Sequence, residues 1–232
     1  MLVPAHNEEE TVGTIVQATL ATWPVHVLVV DDGSTDATAQ RAEASGARVL
    51  RLPQCSGYGG ATIAGFAEAV RSGYEFVATL DADGQHEPEH LGELLEVIRQ
   101  GWDVVSGTRY HPSSASHGLI PAERVRINRE ITDSINRFTG WSLTDAFCGM
   151  KAYRVAALAR LTLDEVGYAF PLQFWIRAAH AGLRVTEVAI DNLYLDPTRS
   201  FGGTLDDPEV RLAFYASVLE CEMSSTLPVR NP

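Results

Sequence analysis

Through its first half the chain repeats one unit: a short run of β-branched and apolar residues, a turn, and an amphipathic helical pattern. This alternation is typical of a mostly parallel sheet covered by helices on both faces. It predicts strands at residues 2–3, 25–30, 48–52, 76–80 and 103–106, and a later strand at 185–190. We therefore expect an α/β fold with a mostly parallel central sheet.

Helical periodicity follows most of these strands. Apolar residues recur at helical spacing over 12–20, after Asn7 and Glu10, which have the spacing of a capping box. A second apolar stripe covers 91–98, after Pro88, whose fixed φ suits a first helical turn. Further helices are predicted at 123–138, 170–181 and 208–223, the last of them peripheral.

One domain accounts for this pattern. The 232 residues suffice for a full core, and a hydrophobic fraction of 45% is that of an ordinary globular protein. We predict a single Rossmann-like domain at residues 1–223 and a disordered tail at 224–232.

Charge and cysteine content exclude several classes of protein. A net charge of -12 argues against a large basic groove for nucleic acid and against broad adhesion to anionic lipid. The three cysteines form no CxxC pair, so we expect reduced thiols. No secretory leader is recognisable, and no stretch approaches the roughly 20 apolar residues of a spanning helix. These features predict a cytoplasmic chain.

One local cluster departs from the acidic background. The helix predicted at 123–138 contains four basic residues, Arg124, Arg126, Arg129 and Arg137. They form either a phosphate-binding patch or one solvated helix face.

Polar segments follow three of the predicted strands. They are PAHNE at 4–8, DDGSTD at 31–36 and DADGQH at 81–86. Ligands of open α/β sheets bind beyond the carboxyl ends of the strands. The three segments therefore predict one cleft.

Two carboxylates in the third segment suit a hard cation. Asp81 and Asp83 are separated by one residue at a strand end, and Gln85 offers a further oxygen. Mg²⁺ and Mn²⁺ prefer oxygen ligands and commonly keep diphosphate oxygens as partners. The other interpretation is an Asp-rich turn that caps the next helix.

A glycine-rich loop, CSGYGGA at 55–61, precedes another predicted helix. Such glycines allow either close approach of the backbone to a ligand or tight packing within the protein. The loop has neither the dinucleotide fingerprint nor a P-loop lysine.

Taken together, the motifs resemble those of family 2 glycosyltransferases, most closely the dolichyl-phosphate mannose synthase branch of polyprenyl-phosphate glycosyltransferases. The ordered series is PAHNEE at 4–9, DDGSTD at 31–36, CSGYGGA at 55–61, DADGQH at 81–86, GTR at 107–109 and DAFCGMKAYR at 145–154. The resemblance covers about residues 1–190. It implies a glycosyltransferase A-type fold, a GDP- or UDP-linked sugar donor and a Mg²⁺ or Mn²⁺ cofactor.

The resemblance also implies roles at the donor site. The nucleotide base and ribose would lie against Pro4, His6, Glu8, Val30 and Asp32. The diphosphate and metal would lie against Asp81, Ala82 and Asp83, with Gln85 completing the metal site and Gly57 in the neighbouring loop.

The resemblance also implies roles for several arginines. Arg109 matches the family arginine that contacts phosphate, a role suited to its planar and permanently charged fork. Arg124, with Arg126 as the alternative, matches an arginine on the helix after the flexible loop that would bind an acceptor phosphate. Arg199 lies where the family has a segment that closes over the site.

The sequence allows three interpretations of the role of Asp145. A sugar hydroxyl acceptor needs a carboxylate as general base, and Asp145 is the candidate. A lipid phosphate is already ionised near neutral pH, so Asp145 would instead organise the acceptor loop. A structural turn aspartate is the third reading.

Three positions depart from the family pattern. Cys55 stands where relatives often have asparagine, His6 replaces a tyrosine, and Gln173 stands where many relatives have an acid. We expect the last two to retune base recognition or acceptor choice.

We therefore predict an inverting, metal-dependent hexosyltransferase that moves a hexose from a nucleoside-diphosphate sugar to a polyprenyl phosphate, with peripheral contact at the inner face of the membrane. The alternatives are transfer to a sugar hydroxyl in polysaccharide or glycolipid assembly, a noncatalytic nucleotide-sugar-binding subunit, and a nucleotidyltransferase. The sequence lacks the basic glycine-rich loop with which a nucleotidyltransferase would bind a nucleoside triphosphate.

Overall fold

The computed structural model describes residues 1–84, 87–117, 120–193 and 202–225. Its strands are β1 (Leu2–Ala5), β2 (Leu28–Asp31), β3 (Arg48–Arg51), β4 (Phe76–Thr79), β5 (Val104–Thr108), β6 (Ser116–His117), β7 (Lys151–Arg154), β8 (Val185–Ala189) and β9 (Asn192–Leu193). Its α-helices are α1 (Val12–Thr22), α2 (Thr38–Ala44), α3 (Tyr58–Arg71), α4 (Leu91–Arg99), α5 (Ala122–Thr139), α6 (Val155–Leu158), α7 (Phe170–His180) and α8 (Pro208–Ser224). Short 3-10 turns at Pro88–His90 and Gly203–Asp206 precede α4 and α8.

The main sheet has seven strands in the order β3-β2-β1-β4-β7-β5-β8. All of them run parallel except β7, which lies antiparallel between β4 and β5. The carboxyl ends of the six parallel strands therefore share one edge of the sheet with the start of β7. A separate parallel pair is formed by β6 and β9.

The six predicted strands are all present, and their ends differ from the prediction by no more than three residues. The seventh strand, β7, was not predicted, because its sequence KAYR contains no β-branched residue. Pairing on both sides makes it a strand: Lys151 is in register with Thr79 of β4 and with Ser106 of β5. The expected α/β class with a mostly parallel sheet is confirmed.

The predicted capping box is wrong. Helix α1 begins at Val12, directly after Thr11, which makes no side-chain cap. Asn7 instead has a left-handed φ of 54°. Its backbone N–H donates to Ser34 Oγ at 2.9 Å, and its Oδ1 accepts from the Thr35 N–H at 2.9 Å. Asn7 therefore joins the loops after β1 and β2 at the edge where the cleft was predicted.

Two apolar clusters fill the two faces of the sheet. One contains Val3, Val29 and Leu94, which join the sheet to α1 and α4. The other is built around Trp175, which is fully buried and donates from Nε1 to the Ala146 carbonyl at 2.8 Å, and it reaches Tyr215 of α8. This second cluster fixes the helices that border the cleft.

Helix α8 is attached to α7 by a buried polar network. Arg177 pairs with Glu222 through Nε–Oε2 at 2.5 Å and Nη2–Oε1 at 3.1 Å. Gln173 Nε2 donates to Glu222 Oε1 at 2.7 Å, and Gln173 Oε1 accepts the backbone N–H groups of Asp164 and Glu165. Gln173 is 3% exposed and does not line the cleft, so its expected role in base recognition or acceptor choice gives way to a structural one.

The predicted helix at 208–223 is confirmed and ends one residue later, at Ser224. The tail predicted to be disordered otherwise lies almost wholly outside the described residues. Cys55, Cys148 and Cys221 are free thiols in the structure.

Candidate active site

A cavity of about 580 Å³ opens at the carboxyl edge of the sheet. Its wall is built from the loops after β1, β2, β4 and β5, from the glycine-rich loop, and from α5, α7 and α8. The lining residues with polar side chains are His6, Glu8, Asp32, Cys55, Tyr58, Asp81, Asp83, Arg109, Tyr110, Arg124, Asn128, Tyr168, Arg211 and Tyr215. The remaining lining residues are Pro4, Ala5, Gly57, Ala61, Ala82, Ile120, Ile127, Phe147, Gly167 and Pro171.

Most of the site residues expected from the sequence meet in this cavity. Those that line it are Pro4, His6, Glu8, Asp32, Gly57, Asp81, Ala82, Asp83, Arg109 and Arg124. Val30 does not: its side chain is 0% exposed and packs in the apolar core. Gln85 and Arg199 lie outside the described residues. The strand order places the β2 and β1 loops at one end of the cavity and Arg109 beyond β4 toward the other.

At the first end, His6 is held by the backbone of the neighbouring strand. Its Nδ1 lies 2.7 Å from the Asp32 carbonyl, an acceptor to which the Nδ1–H tautomer donates. The Asp32 N–H in turn donates to the Ala5 carbonyl at 2.8 Å. His6 is thereby fixed with its ring on the cavity wall.

The Asp32 carboxylate anchors the glycine-rich loop. Oδ1 accepts from the backbone N–H and the hydroxyl of Ser56, both at 2.7 Å, and Oδ2 accepts from the Gly57 N–H at 2.8 Å. The Cys55 thiol completes this set with a longer contact of 3.4 Å to Oδ2. Asp32 is 2% exposed, so its charge is compensated by these donors.

Packing within the protein explains two glycines of this loop. A Cβ on Gly57, whose φ is +93°, would come within 2.5 Å of the Val166 carbonyl oxygen. A Cβ on Gly59 would come within 2.2 Å of the Glu165 carbonyl oxygen. Of the two interpretations left open by the sequence, tight packing therefore accounts for Gly59, while Gly57 both packs and lines the cavity.

Asp81 and Asp83 lie where β4 ends, near the middle of the cavity wall. The Tyr58 hydroxyl donates to Asp81 Oδ1 at 3.3 Å. Burial and the charge of Asp81 hold the pKa of Tyr58 well above its usual value, so the hydroxyl keeps its proton. Gly149 leaves the space that this carboxylate occupies, since a Cβ there would lie 1.9 Å from Asp81 Oδ2.

The turn that carries Asp83 is tied to the start of α1. Thr11 Oγ1 lies 2.6 Å from the Ala82 carbonyl and donates to it. This contact fixes the backbone between the two carboxylates. Asp81 and Asp83 both line the cavity, and carboxylate oxygens are ligands that a hard divalent cation prefers.

Other acidic groups of the described ranges come close enough to hold a cation, but neither group includes Asp81 or Asp83. One consists of His6, Asp32 and Cys55, and the other of Glu87, His90 and Asp191. In the first, the Asp32 oxygens already accept from the glycine-rich loop. In the second, the His90 Nε2 accepts the Asp191 N–H at 3.3 Å.

Arg109 follows β5 and forms a two-pronged ion pair with Asp145. The Nε–Oδ2 distance is 2.7 Å and the Nη2–Oδ1 distance is 3.0 Å. Burial opposes the charged form of Arg109, but the charge of Asp145 and the hydrogen bonds to it raise the pKa of Arg109 above its usual range. The guanidinium therefore stays charged on the cavity wall, with its plane fixed by Asp145.

Asp145 itself is 0% exposed and does not line the cavity. Asn128 Nδ2 donates to its Oδ1 at 2.7 Å, as does the Phe147 N–H at 3.1 Å. Burial alone would raise the pKa of Asp145, but the charge of Arg109 and the hydrogen bonds from Arg109 and Asn128 lower it to about 2. A fully engaged carboxylate of such low pKa is unsuited to general base work, so of the three readings the geometry favours organisation of this loop.

Of the two arginines proposed for an acceptor phosphate, only Arg124 lines the cavity. Arg126 forms ion pairs with Glu130 and with Glu209 of α8, and its side chain is 41% exposed. The basic cluster of α5 is thus divided between the cavity and the solvated helix face.

Several lining residues were not identified from the sequence. Arg211 and Tyr215 belong to α8, which was predicted to be peripheral, and that part of the prediction is wrong. A buried lysine, Lys151, does not line the cavity, and its Nζ donates to the Cys148 carbonyl. Burial lowers the pKa of Lys151, and the charges of Asp145 and Asp81 are among those that oppose this. Arg211, Tyr215 and Leu219 recur every four residues, and this spacing could have predicted the buried face of α8.

Comparison with known proteins identifies the class. Residues 1–162 match Glycosyl transferase family 2. The chain is therefore a member of this glycosyltransferase family, and the expected enzyme class is confirmed, against the noncatalytic and nucleotidyltransferase alternatives.

Two relatives cover most of the chain. The polyprenol monophosphomannose synthase of Mycolicibacterium smegmatis is 33% identical over 200 residues, which span 82% of this chain and 75% of the relative. The undecaprenyl-phosphate mannosyltransferase of Micrococcus luteus is 35% identical over 198 residues, with 82% and 81% covered. The expected resemblance to the polyprenyl-phosphate branch is thus confirmed.

Solved structures share the fold. Glucosyl-3-phosphoglycerate synthase of Mycobacterium tuberculosis superposes with a TM-score of 0.74 at 20% identity, covering 96% of this chain and 79% of that protein. A form of the same enzyme crystallised with Mn²⁺, uridine diphosphate and glucosyl-3-phosphoglycerate has a TM-score of 0.73 at 21% identity, with 96% and 78% covered. The expected glycosyltransferase A-type fold is confirmed. Within the described ranges, no helix combines the length and the apolar character needed to cross a bilayer.

Proposed function

We propose that the protein transfers a hexose from a nucleoside-diphosphate sugar to a polyprenyl phosphate, with inversion at the anomeric carbon. The observation that carries this proposal is one cavity that is lined both by the carboxylates of Asp81 and Asp83 and by the guanidinium groups of Arg109 and Arg124. The names of two relatives specify polyprenol or undecaprenyl phosphate and mannose, which supports the same acceptor class.

The donor nucleotide lies at the β1–β2 end of the cavity in this proposal. His6 and Pro4 contact the base, and the diphosphate extends along Asp81, Ala82 and Asp83. Arg109 orients a phosphate: Asp145 takes its Nε and Nη2, and its Nη1 faces no partner among the contacts of the described residues. A guanidinium held in one plane contributes to catalysis because it needs no reorganisation when charge develops.

The residues present fit a divalent cation. Asp81 and Asp83 would hold it, since Gly149 and Tyr58 already keep the Asp81 carboxylate in place. When bound, Mg²⁺ or Mn²⁺ neutralises charge that develops on the departing diphosphate.

The acceptor needs no general base. A phosphate monoester oxygen is ionised near neutral pH, so it attacks the anomeric carbon directly while the bond to the nucleoside diphosphate breaks. Arg124 binds the acceptor phosphate, and Ile127 and Phe147 offer apolar surface to the first part of its hydrocarbon chain. Since such a lipid resides in a bilayer, the enzyme works at the membrane surface as a peripheral protein.

An acceptor panel tests this proposal. Nucleotide release and sugar transfer would be followed with UDP- and GDP-linked hexoses, with Mg²⁺, Mn²⁺ or a chelator, and with undecaprenyl phosphate, a soluble oligosaccharide or no acceptor. We expect transfer that requires the lipid phosphate and the metal. Transfer to the oligosaccharide alone would favour the hydroxyl-acceptor alternative and contradict the proposal.

A further inference from the structure

Helix α8 contributes side chains to the cavity although it lies outside residues 1–162, the part of the chain matched by the family. Arg211 and Tyr215, one helical turn apart, both line the cavity. Arg211 is 4% exposed and Tyr215 is 3% exposed. This face of α8 is therefore directed at the cavity and the core, and away from solvent.

Arg211 is held in position by its surroundings. Its Nη1 donates to the Leu205 carbonyl at 2.7 Å, in the 3-10 turn before α8. At the other end of the helix, the buried pair between Arg177 and Glu222 fixes α8 on α7. A guanidinium remains charged in proteins, so this position carries a permanent positive charge at the cavity wall.

The charge of Arg124 affects the pKa of two cavity tyrosines, one of which is Tyr215 of α8. Burial raises the pKa of Tyr215 to about 12, and the charges of Arg211 and Arg124 both oppose that rise. Arg124 likewise acts on Tyr110, beside Arg109. Arginines from β5, α5 and α8 thus face one cavity in a chain whose net charge is -12.

Apolar side chains adjoin this positive region. The Tyr215 and Phe147 rings pack with centroids 5.1 Å apart, and Ile127 lines the cavity beside them. The combination suits a ligand that has a phosphate next to a hydrocarbon chain. A phosphate monoester without a chain would use the arginines alone.

We infer that Arg211 binds the acceptor phosphate together with Arg124, so that α8 forms one wall of the acceptor subsite. The inference rests on the proposed function for the identity of the acceptor. Arg211 is a binding residue in this arrangement, with little effect expected on the donor.

Steady-state kinetics test the assignment with Arg211→Gln and Arg211→Lys. We expect the KM for undecaprenyl phosphate to rise about tenfold or more in Arg211→Gln, with the donor KM within about twofold of wild type and partial recovery in Arg211→Lys. Arg126→Gln is the matched control, because Arg126 also connects α5 with α8 through Glu209 but does not line the cavity. An equal rise in Arg126→Gln, or an unchanged acceptor KM in Arg211→Gln, would overturn the inference.

Direct binding separates this inference from the proposed function. Farnesyl phosphate and inorganic phosphate would be titrated calorimetrically into wild type, Arg211→Gln and Arg211→Lys, with melting temperature as a check of folding. Binding of farnesyl phosphate that weakens about tenfold in Arg211→Gln supports the inference even if no sugar is transferred. If wild type bound inorganic phosphate as tightly as farnesyl phosphate, the subsite would recognise the phosphate alone and not the hydrocarbon chain. Wild type that binds neither probe, or a folded Arg211→Lys and Arg211→Gln pair that binds both like wild type, would overturn it.

Discussion

The two ends of the cavity are built in different ways. At the donor end, the functional side chains directly follow strands β1, β2 and β4, and hydrogen bonds between backbone N–H groups and side chains, such as those of Asn7 with Ser34 and Thr35, hold the loops together. At the acceptor end, the side chains come from β5, α5 and α8, and ion pairs between side chains hold them. The pair between Arg109 and Asp145 spans 36 residues, and that between Arg177 and Glu222 spans 45. The donor end is thus held by hydrogen bonds between loops at neighbouring strand ends, and the acceptor end by ion pairs that involve buried side chains.

The largest effect is expected at the donor end. Asp83→Asn keeps the shape of the side chain but removes one of the two carboxylates that would hold the cation. We expect sugar transfer to fall by about 10²–10³-fold, a loss typical of removing one electrostatic contact to a developing charge. Asp133→Asn, on the exposed face of α5, is the matched control. Transfer by Asp83→Asn that matched this control would remove Asp83 from the site.

The next effect concerns the pair that holds the acceptor end. Asp145→Asn leaves the Arg109 guanidinium without its buried counter-charge, and such losses cost about 3–5 kcal/mol. We expect that decrease in the free energy of unfolding from urea titrations, together with loss of transfer. A stable but inactive variant would instead make Asp145 a direct participant in the chemistry.

The same pair predicts a pH dependence. The pKa of Asp145 is about 2 in the folded protein, against about 3.9 in an unfolded chain. Because the folded value is the lower one, this stabilisation is fully present above about pH 4 and is lost as the pH falls toward 2. The difference in unfolding free energy between wild type and Asp145→Asn should therefore shrink over that window. A difference that stays constant from pH 5 to pH 2.5 would contradict the ion pair.

A smaller effect is expected where α8 is attached. Glu222→Gln retains a polar side chain but removes the charge that pairs with Arg177. We expect the free energy of unfolding to fall by about 2 kcal/mol, because hydrogen bonds to a charged group are replaced by neutral ones. We also expect the acceptor KM to rise while the donor KM stays constant. Glu220→Gln, exposed on the same helix, serves as control. Equal changes in both KM values would mean that α8 supports the whole cavity rather than its acceptor end.

The smallest effect is expected at Cys55, which departs from the asparagine frequent in relatives. Its thiol makes a long contact of 3.4 Å to an Asp32 carboxylate that already accepts three shorter hydrogen bonds. Thiols are weak donors, and a serine hydroxyl can replace this one. Cys55→Ser should change the donor KM by less than about threefold. A larger change would indicate that the nucleotide contacts Cys55 directly.

Much of the donor end could be predicted from the sequence, because each motif directly follows a predicted strand and therefore marks the end of that strand. The same reasoning failed for Val30: a residue in a motif can point into the core, because successive side chains of a strand alternate between faces. Capping by Asn7 also failed, because its side chain found partners in the loop after β2, which no local pattern reveals.

The acceptor end needed the tertiary structure. Arg124 and Arg126 are two positions apart in sequence, and only their packing decides that one lines the cavity while the other pairs with Glu209. Gln173 resembled a site residue but is bound to Glu222 and the backbone at Asp164 and Glu165.

The sequence by itself determined the α/β class, the family and the strand ends that carry the donor residues, because short-range periodicity and contiguous motifs encode them. The structure decided the insertion of β7, the burial of Asp145 beneath Arg109, and the entry of Arg211 into the cavity. Each of these depends on contacts between residues far apart in the chain, whose free energy exists only once the surrounding helices and strands have packed.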